Sequence, residues 1–270
     1  MKPTKSFVGL ALASVASLGL SACSGDAPSS PAEDSAANVV QSAEVEDPQS
    51  EEEPEGPSQA ELKAYFEALA SGDPGTMAEA VEMAAPGSNA EAYAIYLAAA
   101  SQADRDGGYS AEPQTVKTVD GGFETCTDGT GDDTCSVYTN IQHDGEKIAD
   151  FDAGDYPLAG RLSLGNGEAQ ALGTAGEATL VAAYKSISGY VVAVFEISSA
   201  TPGMWPMATY TAPDGRQSQE TMRSGPTELG EGAFANYAFF FEGAEFGGQV
   251  RLEAIDGNGY DAGEATFATQ

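Results

Sequence analysis

The chain has 270 residues, with 11 Lys+Arg against 42 Asp+Glu and a net charge of −31. So acidic a surface repels the phosphates of nucleic acid, which excludes nucleic-acid binding as an expected role. Apolar residues at 41% still allow real cores, and the abundant Gly and Ala with little Lys suit a β-rich exported protein better than a compact cytosolic enzyme.

At the start of the chain, Lys2 and Lys5 precede a mostly apolar stretch from Ser6 to Leu20, and small residues follow. This is the pattern of a secretory signal peptide, and the stretch is shorter than the roughly 20 apolar residues that a membrane span needs. Leu20-Ser21-Ala22-Cys23 directly after it resembles the lipobox of bacterial lipoproteins. The resemblance implies that residues 1–22 are removed, that the Cys23 sulfur carries a diacylglycerol, and that the protein is lipid-anchored on the extracytoplasmic face of the cell membrane. Two or three acyl chains suffice for this, since each buried CH₂ contributes about 0.8 kcal/mol.

Residues 23–57 follow as an acidic linker. Asp26, Glu33, Asp34, Glu44, Glu46, Asp47, Glu51, Glu52, Glu53 and Glu55 fall here without a single Lys, Arg or aromatic residue. Such a segment cannot bury enough apolar surface to offset its ordering entropy, so it is expected to be a disordered tether.

After Gly56-Pro57 the periodicity becomes helical. Ser58 and Glu61 have capping-box spacing, and Leu62, Tyr65, Phe66 and Leu69 share one face. Asp73-Pro74 offers an N-cap and a first-turn proline for a second helix through about Ala85. Ser88 with Glu91 opens a third, ending near Gly107-Gly108, whose Tyr93, Tyr96, Leu97 and Ala100 share a face.

From there the signals are β. Residues 115–119, 122–126, 135–142 and 147–153 read as short strands, separated by Asp120-Gly121-Gly122, an acidic Gly loop, and the hairpin turn at Asp144-Gly145. Helices followed by a meander mean an α+β domain, residues 58–160. This order, with the Ile141–Asp152 hairpin, resembles the nuclear transport factor two-like (cystatin-like) domains of many bacterial lipoproteins.

Beyond Arg161 the pattern alternates with period two. In residues 234–242, Ala235, Tyr237, Phe239 and Phe241 fall on one face, and Asn236, Ala238, Phe240 and Glu242 on the other. With further strands at 178–187, 190–198, 207–211, 250–254 and 264–269, residues 161–270 are expected to form an all-β sandwich. The segment resembles the immunoglobulin-like modules that end such lipoproteins, although it lacks their Cys pair.

Cys126 and Cys135 bracket an acidic Gly-rich loop, and in an exported chain this spacing favours a disulfide. With Cys23 lipidated, no thiol is left over. His143 is the single histidine, beside a hairpin turn, so nitrogen ligation of a metal is not expected. Asp128, Asp132 and Asp133 crowd one loop, and Asp256, Asn258, Asp261 and Glu264 another, but neither matches an EF-hand, and both read as ordinary acidic turns. No metal or other cofactor is expected.

No nucleophile motif stands out: there is no Gly-x-Ser-x-Gly and no Ser-x-x-Lys. Two binding candidates remain. Tyr65, Phe66, Tyr93, Tyr96 and Tyr138 could line an apolar cleft between the helices and the sheet. Met204, Trp205 and Met207 form an interface candidate on a loop at the end of the sandwich, Trp205 being the one tryptophan, and the other reading of Trp205 is a cap on the core from that loop. The expected function is therefore a lipid-anchored surface lipoprotein, a non-catalytic binding or assembly module for an extracytoplasmic protein or small ligand. The alternative is a small-molecule enzyme built in the α+β cleft.

Overall fold

The structure, a computed structural model, describes residues 56–127 and 135–270. The segments expected as signal peptide and tether up to residue 55, with Cys23, and Asp128, Asp132 and Asp133 lie outside the described residues.

Ser58 starts the first helix, α1 (Gln59–Leu69). Its hydroxyl accepts the Glu61 backbone N–H at 3.3 Å, and the Glu61 carboxylate accepts the Ser58 N–H at 2.8 Å, which closes the capping box. Asp73 caps α2 (Pro74–Met83) by accepting the Thr76 N–H at 2.8 Å, with Pro74 in the first turn. Ser88 caps α3 (Asn89–Asp106), but here the box does not close on itself. The Glu91 carboxylate accepts the N–H of Gly87, one residue further out than the pattern anticipates.

Five antiparallel strands follow in a meander: β1 (Thr115–Val119), β2 (Gly122–Cys126), β3 (Cys135–Asp144), β4 (Lys147–Ala153) and β5 (Tyr156–Pro157). Cys126 and Cys135 face each other across β2 and β3 with Cα atoms 4.2 Å apart, and they are joined by a disulfide. Asn140 interrupts β3 at a register shift, with φ of 51°, and its amide donates to Asp152 at 2.6 Å on the partner strand.

The remaining ten strands are β6 (Leu162–Leu164), β7 (Gln170–Ala171), β8 (Gly176–Lys185), β9 (Tyr190–Ser199), β10 (Trp205–Thr211), β11 (Gln217–Gln219), β12 (Met222–Ser224), β13 (Phe234–Glu242), β14 (Gln249–Ile255) and β15 (Asp261–Ala268). They build a central sheet in the order β12-β13-β9-β8-β6, with β7 also on β8, and an outer sheet in the order β11-β10-β14-β15. The chain is thus α+β first and β-rich after.

The alternation in β13 reads correctly on its inner face. Ala235, Tyr237, Phe239 and Phe241 join Phe195 and Ile197 of β9 and Tyr210, Val250, Leu252 and Phe267 of the outer sheet in one core between the two sheets. The other face of the central sheet departs from a solvated sandwich surface. Ala238, Val192, Val194, Ala182 and Tyr184 point away from that core and complete a second one with α1, α3 and the meander. This is why Val191 to Phe195 runs as an unbroken buried stretch, the pattern of a strand covered on both faces. The expected boundary near residue 160 therefore does not separate two cores: residues 161–270 supply one wall of the core that residues 58–160 begin, and the described residues belong to one compact unit. Among the described residues, no helix is long and apolar enough to cross a membrane.

Candidate functional site

The five aromatic residues expected around a cleft are core residues instead. Tyr65 and Phe66 are fully buried, and Tyr93, Tyr96 and Tyr138 nearly so. Their rings fill the space that a cleft would need. Phe66 stacks on Phe123 and Tyr138 with centroids 5.0 Å apart and meets Phe151 edge-on at 5.4 Å, while Tyr93 meets Tyr184 at 5.4 Å. These are offset and edge-to-face arrangements that stabilise a core beyond area burial. The Tyr65 hydroxyl donates to the Ala90 carbonyl at 2.8 Å. Burial pushes the phenols of Tyr65, Tyr93, Tyr96 and Tyr138 up, so they stay protonated. Tyr93 and Tyr138 also border a shallow depression of about 230 Å³ beside Leu69, Gly72 and Leu97.

The second candidate divides. Met204 is a core residue, 0% exposed, because its backbone pairs with Leu229 in both directions, at 3.0 and 2.7 Å, and its side chain joins the core between the sheets. Trp205 and Met207, the alternate positions of β10, face outward and are 42% and 40% exposed.

The groove that they border owes its shape to an incomplete sheet edge. On the flank of β10, β11 pairs only with Thr209 to Thr211. Beyond this the chain leaves the outer sheet and crosses to the central sheet as β12, where Arg223 lies opposite Phe239. Trp205 to Ala208 are thus left without a strand on that side, and two charged side chains complete the ladder. The Glu220 carboxylate accepts the Ala208 N–H at 2.6 Å and its backbone N–H donates to the Ala208 carbonyl at 3.2 Å. The Arg223 guanidinium donates to the Pro206 carbonyl at 2.6 Å. Charged side chains and a proline at an open edge discourage further strand addition.

What remains is a groove of about 420 Å³ lined by Trp205, Met207, Glu220, Thr221, Met222, Arg223 and Thr227. Met222 is 54% exposed, so two thioethers and one indole stand open around it. Burial raises the Glu220 carboxyl above the usual range, against the Ala208 N–H and the Arg223 charge, which lower it. Glu220, Thr221, Met222, Arg223 and Thr227 carry no signal in the sequence. Their placement follows from where the chain changes sheets, and neither local periodicity nor a motif encodes that crossing.

The other expected positions are accounted for locally. Asp256 accepts the N–H groups of Asn258 and Tyr260, both at 2.9 Å, and so closes its own turn. Glu264 pairs with Arg251 at 3.1 Å, and His143 is exposed on β3. Glu124 lies with Cys126 and Cys135 in a group of possible metal ligands, but the disulfide removes both thiolates from that role.

No protein-family model matches the sequence, and no curated protein matches it. Among solved structures the chain is similar to the archaellum periplasmic stator protein FlaG from Sulfolobus acidocaldarius, at 14% identity over 32% of this chain and 91% of that one, with a TM-score of 0.21.

Proposed function

We propose that the protein is a surface lipoprotein, held on the extracytoplasmic face of the membrane through lipid on Cys23, whose folded part is a non-catalytic module that docks a protein partner. The single observation that carries the docking role is the exposure of Trp205, Met207 and Met222 around one groove, because large apolar side chains gathered at a surface depression are the usual anchors of an interface. The Leu20-Ser21-Ala22-Cys23 segment and the acidic tether behind it support the location. A catalytic cleft in the α+β layer is not proposed, since the rings that would line it are packed on one another.

The strand order supports an immunoglobulin-like reading of the two facing sheets. With β8, β9, β12 and β13 taken as strands A, B, D and E, the central sheet runs D-E-B-A, and with β10, β14 and β15 as C, F and G the outer sheet runs C-F-G. In that fold the B–C and F–G loops share one end and frequently bind. Trp205 stands at that end, at the start of β10. The two loops touch there, since a Cβ on Gly203 would lie 3.1 Å from the Gly257 Cα.

Two measurements test the proposal. An alkyne fatty acid fed to cells labels the protein, and Cys23→Ala loses both the label and the membrane fraction; a labelled, membrane-bound variant rejects the anchor. A photo-crosslinking residue placed at Trp205 in intact cells joins a discrete partner, while the same residue at the exposed Ile187 does not. Equal crosslinking at both positions, or none at 205, rejects the docking role.

A further inference from the structure

The chemistry around the groove specifies the segment that it takes. Its apolar surface is Trp205, Met207 and Met222, and the charges around that surface lean to acid. Beside Met207 the register runs across the open face of the outer sheet to Glu253 and then Glu264. These two carboxylates share Arg251, at 3.4 and 3.1 Å. The row of Trp205 runs through Ile255 to Asp261.

On the opposite flank Glu220 spends Oε2 on the Ala208 N–H. Its Oε1 lies 3.8 Å from Arg223, beyond hydrogen-bond reach, and accepts no hydrogen bond among the described residues. Arg223 is itself held by the Pro206 carbonyl. Among the described residues, the four carboxylates of Glu220, Glu253, Asp261 and Glu264 on this face and flank thus stand with two guanidiniums, Arg223 and Arg251, which leaves a net negative charge.

Such a rim favours a cation, and an indole face next to it attracts one as well. The thioethers of Met207 and Met222 adapt to an apolar side chain of irregular shape. A second copy of this acidic chain would bring the wrong charge. Resting on the docking role argued above, we propose that the groove takes a basic polypeptide segment, with a Lys or Arg side chain over the Trp205 indole against Glu220 Oε1, the oxygen that accepts no hydrogen bond, and a neighbouring apolar side chain bedded on Met207 and Met222. The net charge of −31 draws such a segment in from a distance, so its association slows as salt is added.

The test is selection of a phage-displayed library of random twelve-residue peptides on the full chain in detergent, with counter-selection on Trp205→Ala. The enriched peptides are expected to carry Lys or Arg beside Leu, Met or Phe. A dye-labelled synthetic copy of one binds the parent chain, loses about tenfold or more in affinity to Trp205→Ala, as an interface anchor should, and loses several-fold to Glu220→Gln. Both variants melt where the parent does, and replacing the peptide's Lys and Arg by Gln removes most of the binding. Neutral or acidic peptides that still require Trp205 overturn the partner chemistry and leave the docking role standing. Basic peptides that bind Trp205→Ala as tightly as the parent reduce the contact to diffuse attraction and overturn both. If no peptide is enriched, the basic-segment proposal fails, and crosslinking from position 205 then decides the docking role separately.

Discussion

Asp106, at the end of α3, accepts the backbone N–H of Asn236 in β13 at 2.7 Å, across 130 residues of chain. This bond ties the last helix to the central sheet at the seam between the α+β part and the strands beyond it, where Ala238, Val192 and Val194 supply the apolar contact. Asn236 is buried, so Asp106→Ala leaves its N–H without an acceptor and costs about 1–3 kcal/mol. Asp106→Asn keeps a carbonyl oxygen in place and recovers most of that. Urea unfolding followed by far-ultraviolet dichroism and by Trp205 emission checks this. The two signals are expected to move together, because both cores use the central sheet. Separate transitions would mean that the seam is weaker than the shared core implies.

The Cys126–Cys135 disulfide closes a short loop between β2 and β3, with nine residues of sequence separation. In the loop-closure model a bridge of that span stabilises by roughly 2.5 kcal/mol. Cys126→Ser with Cys135→Ser, or reduction by dithiothreitol, is expected to lower the melting temperature by about 5–10 °C. The register in which Tyr138 lies opposite Phe123 also packs Phe66, so the sheet itself is expected to survive. A loss of strand signal at low temperature would show that the disulfide sets the register.

Much of this fold is legible in the sequence where the determinants are local. Ser58, Asp73 and Ser88 announce three helix starts through hydroxyl or carboxylate caps, and Ala235, Tyr237, Phe239 and Phe241 announce one face of a strand. The layer shared by the two cores is not local. Ala238 and Phe240 look like the outer face of a sandwich until α3 is laid over them, and only their apolar character hints at it. The aromatic residues of α1 and α3 cannot be divided between cleft and core by spacing, because both require the same face. Trp205 stands out in the sequence as the single tryptophan among Met and Pro, but whether it caps the core or faces outward is not written there, and Glu220 and Arg223 become recognisable only once the missing flank of β10 is known.

Asp73 joins two helices, accepting from Thr76 at 2.8 Å and from the Arg105 guanidinium at 2.6 Å. The Arg105 hydrogen bond, followed by the Thr76 N–H, holds its carboxyl down to about 2, below the ordinary 3.8. A carboxyl depressed in the folded state contributes stability that is fully present above its ordinary value and is lost as pH falls through the depressed one. The expected window of loss therefore runs from about pH 4 to pH 2. Both side chains are about half exposed, so the contribution is small and weakens further with salt. Urea midpoints measured across that window should fall less steeply in Asp73→Asn, which keeps the Thr76 cap and loses the titration. Equal slopes would show that the pair adds nothing to acid stability.

The adjacent residues Met204 and Trp205 separate core from site within a single peptide bond. Met204 is fully buried between the two sheets, and Met204→Ala removes its thioether from a packed interior, at a cost of about 2–5 kcal/mol. Trp205, the next residue and the first of β10, is 42% exposed and lines the groove, so Trp205→Ala is expected to change stability by no more than about 1 kcal/mol. The two variants should therefore invert between assays: Met204→Ala melts early, while Trp205→Ala melts normally and fails in partner crosslinking or peptide binding. The parent protein adds a direct readout, since its one tryptophan should emit at long wavelength and be quenched by acrylamide when free, then shift to shorter wavelength when the groove fills. A tryptophan already shielded in the free protein, or a Trp205→Ala variant as unstable as Met204→Ala, would place the indole in the core and remove the groove's anchor.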